Sequence, residues 1–345
     1  MAVPRDPVEA PHPRVPWAAV GVFTALAVGL AWLVTLPLWL PGADGVRPGL
    51  ANPWFTLLAV GMMATPTVSA LVVMLAMARP RSIPRRLGMW PLRPVPRLLL
   101  FSLLALVGIP LLCALSMLLG AALGLLHLVP PAQSALGEQL AGAGMAGDPG
   151  ALTALIAVQL AVIPVNAVFS SLAAMLEEFG WRGWLLPALR PLGAWPALLI
   201  TGAIWGVWHA PLILLGYNYG LTDLRGVLAM TVFTVLFGVV IGWMRLRSAS
   251  VWPAAFAHGA LNTATGTLLL SFVASDEVGS AIWGSILGFS GWIVLGVVIA
   301  VLALTRQLGK QPVAGLPLGA AAPSVSAAAS TAPSRGEANH EGIPT

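Results

Sequence analysis

Long apolar runs, separated by short clusters rich in arginine, proline and glycine, set the pattern of this chain. Crossing the hydrocarbon core of a bilayer takes about 20 helical residues at 1.5 Å rise each. Eight runs are long enough to cross, at 17–40, 54–78, 98–126, 163–189, 195–215, 227–244, 251–272 and 281–304. The third is longer than one crossing needs. The fourth can be traced back to 151 with a bend at Pro164, because proline removes a helix hydrogen bond. The pattern predicts an all-α fold, a polytopic transmembrane helical bundle of about eight spans.

Composition agrees with that class. The 345 residues are 58% hydrophobic and only 8% charged, against about 25% charged in a soluble domain, and the mean hydropathy is +0.89. A formal charge of +5 suggests nucleic acid as a partner only until the positions of the arginines are considered. With the N-terminus inside, the inner segments hold 15 Lys and Arg residues and the outer loops only Arg47 and Arg225. Such asymmetry is the positive-inside bias, and it predicts cytoplasmic termini and no nucleic-acid role. The first run follows Arg5 and Arg14 as a signal sequence would, yet its apolar core exceeds the 7 to 15 residues of a cleavable signal, so we read a retained helix. Cys113 is the only cysteine, which excludes an intrachain disulfide and a cysteine-based metal site.

The chain divides into an N-terminal cytoplasmic tail (1–16), three helices with their loops (17–150), a core (151–272) whose motifs fall within 163–262, a last helix (273–305) and a tail (306–345). Ala, Pro, Ser and Gly dominate that tail, a composition that cannot bury a core and predicts disorder. The basic loop 79–97 is expected against anionic headgroups. The outer loop 128–150 is acidic through Glu138 and Asp148 and rich in Gly and Ala.

Ionisable residues inside apolar runs are costly and tend to mark sites. Three such clusters stand out: Glu177-Glu178-Phe-Gly-Trp-Arg182, Trp205-Gly-Val-Trp-His209 and His258-Gly-Ala-Leu-Asn262. Residues four apart share a helix face, so Glu178 with Arg182, Trp205 with His209, and His258 with Asn262 are same-face pairs. Glu177 and Glu178, about 100° apart, point in different directions, with Glu178 toward Arg182 and Glu177 toward a cavity. Counted from the inner turns, Glu177, His209 and His258 lie at comparable depth. A carboxylate, two imidazoles and an amide in a partly dry pocket suit amide hydrolysis. Glu177 with His209 would activate a water, and His258 with Asn262 would hold the oxyanion.

Motif order and spacing over about 100 residues resemble the CAAX prenyl protease and bacteriocin-processing (CPBP) family of intramembrane proteases, also called abortive-infection-like. Trp205 stands where that family usually has phenylalanine. The resemblance implies a helical membrane bundle, Glu177 and His209 as the water-activating pair, His258 and Asn262 as oxyanion stabilisers, and Glu178, Arg182 and Trp205 in support. It also implies a membrane-anchored peptide or protein as substrate, prenylated in some members. Members are often labelled metalloproteases, and Glu177, His209 and His258 make a two-histidine, one-carboxylate zinc set. A metal-free mechanism is the other reading, since no His-Glu-x-x-His is present.

Blander readings stand beside these. Glu178 with Arg182 is also a plausible helix–helix strut, Trp205 and Trp208 are expected to pack, and His12, His127 and His340 read as surface residues. A proton-coupled transporter or an inactive scaffold of the same fold are the functional alternatives. The Ala, Gly, Leu and Arg content points to a GC-rich bacterium and its plasma membrane.

Overall fold

The computed structural model describes residues 14–42, 48–145 and 148–308. The expected disorder of the C-terminal tail therefore lies outside the described residues from 309 onward, as do Arg5, His12, Arg47 and His340. All regular structure among the described residues is helical.

The elements that matter are α1 (Trp17–Thr35), α2 (Phe55–Met63), α3 (Thr65–Ala76), α4 (Val95–Leu103), α5 (Ile109–Ala122), α6 (Pro149–Ala161), α7 (Ile163–Glu178), α8 (Ala194–Trp208), α9 (Leu224–Ser248), α10 (Trp252–Phe272) and α11 (Phe289–Leu304). A π-helical turn, Leu104–Gly108, joins α4 to α5, and a second, Phe179–Leu185, extends α7. Five stretches, helical over most of their length, are long and apolar enough to cross a membrane: Trp17–Leu38, Phe55–Ala76, Val95–Ala122, Leu224–Ser248 and Val278–Leu304. A sixth arises if the pair Pro149–Ala161 and Ile163–Leu192 is taken as one span bent by 53°. The chain is thus a polytopic membrane bundle.

Each of the eight apolar runs is largely helical, and the three that fall short of a full straight span do so for physical reasons. The bend precedes Pro164, which lacks an N–H and crowds the preceding turn. Helix α8 is only 15 residues long and ends just before Ala210-Pro211. Helix α10 carries His258, Asn262 and several threonines, and more than half of its side chains are buried in the bundle rather than facing lipid. The last run differs from the expectation over 285–288, where the Ser285 hydroxyl donates to the carbonyl of Ile282 (2.7 Å) and accepts from the N–H of Leu287 (3.2 Å). These bonds compete with the helix ladder, and α11 proper starts at Phe289.

Connections sort to two ends. At one, the 79–97 segment meets the α9–α10 junction: Val251 N–H and the Ser250 hydroxyl donate to the carbonyl of Gly88, and Trp252 Nε1 donates to that of Met89. At the other, Val129 and Ala135 N–H groups donate to the carbonyls of Phe272 and Val273, and the Tyr219 hydroxyl to that of Leu287.

Small residues set the distances between helices. A Cβ added at Gly259 of α10 would meet the backbone of Ser171 in α7 at 2.5 Å, and one at Gly206 of α8 would collide with the Cα of Thr231 in α9. In a membrane such close backbone approach is a main source of helix association. It draws the helix bearing Glu177 against the one bearing His258.

Candidate active site

Glu177 and Glu178 close α7, where the ladder loosens into the π-helical Phe179–Leu185, an irregularity common at functional sites. The two acids part company as their angular separation requires. Glu178, fully buried, accepts from Arg182 Nη1 at 2.9 Å and from His258 Nδ1 at 3.0 Å through the same Oε1. Glu177, 3% exposed, accepts from the indole Nε1 of Trp205 at 2.8 Å and lines a cavity. The Arg182 guanidinium stands 4.3 Å from the Trp205 ring centroid, a cation–π contact, and Gly238 leaves space for its other arm.

The cavity, about 440 Å³, is lined by Glu177, Trp205, His209, His258 and Asn262 together with apolar side chains that include Met62, Met230, Phe233 and Leu287. Every residue expected from sequence to do chemistry thus borders one hollow. Arg182 and Glu178 sit behind its wall, tied to His258 rather than to the cavity.

Two imidazoles present defined edges. His209 Nδ1 lies 2.8 Å from the carbonyl of Trp205; a carbonyl only accepts, so Nδ1 carries a proton and Nε2 of the neutral ring has a free lone pair. His258 Nδ1 is committed to the Glu178 carboxylate, which leaves Nε2 as its free atom. Trp205 is therefore a hub: its indole N–H holds Glu177, its carbonyl orients His209, and its ring meets His258 edge to face at 5.3 Å.

Next to the hub the rings of Phe23, Trp181, Trp184 and Trp208 pack into one aromatic block. Trp208 is held by its Nε1 donating to Thr65 Oγ1 at 3.0 Å, and Thr65 donates in turn to the carbonyl of Ala27. The other rim is formed by the 214–223 connection, where Tyr217 and Asn218 line the cavity and Asn218 has φ of +65°, a conformation asparagine tolerates.

Sequence reasoning missed the Trp205 and Thr65 bonds, the second partner of Glu178 and the Tyr217-Asn218 lip. Among the described residues no group of three or more His, Cys, Asp or Glu side chains stands in an arrangement that could hold a metal ion. Glu177, His209 and His258 are not among such groups, and no chemical step below is routed through a metal.

Residues 157–264 match the family described as Type II CAAX prenyl endopeptidase Rce1-like. Over this segment the chain is similar to the Rce1-like family. The matched segment takes in α7, α8, α9 and the first two-thirds of α10, and with them Glu177, Glu178, Arg182, Trp205, His209, His258 and Asn262. A curated relative, CAAX prenyl protease 2 of Methanococcus maripaludis, is 32% identical over 89 residues, which is 22% of this chain and 30% of that protein. The match thus spans about a third of the relative's length.

Proposed function

We propose that this protein is an intramembrane endopeptidase. It hydrolyses a peptide bond near the C-terminus of a membrane-associated peptide or protein, lipidated or not. The observation that carries this reading is the convergence of Glu177, His209, His258 and Asn262 on one cavity, with Glu177 held from behind by Trp205. The similarity of 157–264 to Type II CAAX prenyl endopeptidases supports it.

In the proposed reaction a water sits between the free carboxylate oxygen of Glu177 and Nε2 of His209. As the water oxygen attacks the substrate carbonyl carbon, Glu177 takes its proton, and the carbonyl oxygen gains charge. Asn262 Nδ2 and His258 Nε2 donate to that oxyanion, a role that requires His258 as imidazolium, its charge balanced by Glu178. Collapse of the tetrahedral intermediate breaks the C–N bond, and the proton held by Glu177 passes to the departing amine. No covalent enzyme intermediate forms. Each oxyanion donor of this kind contributes about 3–4 kcal/mol to the transition state.

The full topology belongs to the same reading: eight crossings, both termini in the cytoplasm, and the arginine-bearing end facing inward in a bacterial plasma membrane. The test is incubation of purified protein in vesicles with a panel of membrane-anchored peptides, prenylated and unmodified, with and without chelator, beside the Glu177→Ala variant. Cleavage that persists in chelator and disappears in the variant supports the mechanism. Cleavage lost in chelator and restored by zinc, or undiminished in the variant, overturns it.

A further inference from the structure

At the end of the bundle where the 79–97 connection meets α10, arginines gather without carboxylates. Of the acids among the described residues, Glu177 and Glu178 belong to the site, while Glu138, Asp148, Asp223, Asp276 and Glu277 lie in the opposite connections. Packing then brings two of the arginines together. Phe101 of α4 and Trp243 of α9 meet edge to face with centroids 5.0 Å apart. The first helix leaves the arginine-bearing end and the second arrives at it, so the two run antiparallel. Four residues before Phe101 is Arg97, and four after Trp243 is Arg247. Both therefore stand one turn, about 6 Å, closer to that end and on the same faces as the rings.

Both arginines are half-buried. No ion pair among the described residues involves either. Trp243 Nε1 beside them is buried without a partner among the described residues. Arg97 also occupies the first turn of α4, whose free N–H groups add partial positive charge. Paired planar forks of N–H donors suit the oxygens of a phosphate. The adjoining surface of α4 is apolar and outward-facing at Leu99, Leu100 and Leu103, as lipid tails require.

We propose that Arg97 and Arg247 form a site for the phosphate of an anionic phospholipid headgroup, with Phe101 and Trp243 as its floor. Native mass spectrometry of the full-length protein in neutral detergent, titrated with phosphatidylglycerol or phosphatidylcholine, tests it. Arg97→Gln/Arg247→Gln is expected to weaken retention of the first phosphatidylglycerol roughly tenfold or more, with phosphatidylcholine unaffected. Arg247→Lys, which keeps the charge but loses the fork, is expected to fall between. The control Arg79→Gln/Arg81→Gln is expected to match the parent protein. Equal retention in the double variant overturns the proposal, as does an equal loss in the control. Displacement of the lipid by excess inorganic phosphate reassigns the site to a soluble anion. Should the double variant fail to elute as a monodisperse species, the Arg247→Lys comparison carries the test.

Discussion

Replacing Glu178 by alanine removes the one carboxylate that both Arg182 and His258 touch. The guanidinium of Arg182 is 1% exposed and its Nη1 has Glu178 as its hydrogen-bonded acid. Stripping a buried ion pair of one partner leaves an uncompensated charge, a cost of about 3–5 kcal/mol. Loss of the bond to His258 belongs to the same network and does not simply add. Glu177→Gln offers the contrast, because an amide oxygen still accepts from the Trp205 indole and the side-chain volume is kept. We expect that variant to stay within about 1 kcal/mol of the parent, as surface and near-isosteric changes do. Reversible unfolding in mixed detergent micelles, followed by far-ultraviolet circular dichroism, measures both. Equal stabilities for the two variants, or a larger loss for Glu177→Gln, would refute the assignment of Glu178 as the structural acid and Glu177 as the free one.

Three further outcomes follow from the same geometry. Trp205→Phe keeps the ring and the backbone carbonyl but loses the N–H donor to Glu177, so kcat for peptide cleavage should fall about tenfold with KM unchanged, in line with a hydrogen bond to a charged group. Gly259→Leu forces a side chain into the backbone of Ser171; overpacking of this kind costs about 1–3 kcal/mol or more, read as a lower unfolding midpoint in the same micelles. Asn218→Cys, at the cavity lip, should be labelled by a membrane-impermeant maleimide added outside intact cells, whereas cysteine in place of Arg85 should react only after lysis; the reverse pattern would invert the orientation.

Much of the architecture could be read from the chain because hydrocarbon leaves few options. A run such as 227–244 must satisfy its backbone internally and therefore folds as a helix. The face shared by Glu178 and Arg182 follows from helical periodicity alone, and the bond at 2.9 Å lies on it. Neighbour relations between helices were less legible. Nothing in one sequence says that α7 packs on α10 through Gly259, or that the indole of Trp205 turns toward Glu177, since rotamers and partners are settled by tertiary packing. One signal was available and unused: Gly202 and Gly206 are four apart on α8, a small-residue spacing that marks close helix approach, and both lie against the backbone of α9. The break at 285–288 also had a cue in the serine and glycines of Gly284-Ser-Ile-Leu-Gly288, obscured by the apolar residues around them.

The most direct test of water activation by Glu177 is the single-turnover rate of peptide cleavage by Glu177→Gln, measured in vesicles on protein whose unfolding midpoint matches the parent. A general base at this position is worth roughly 10²–10⁴-fold, and a loss of that size, with substrate still bound, is the result expected. A rate within a few-fold of the parent would contradict it and move the chemistry to another group in the cavity.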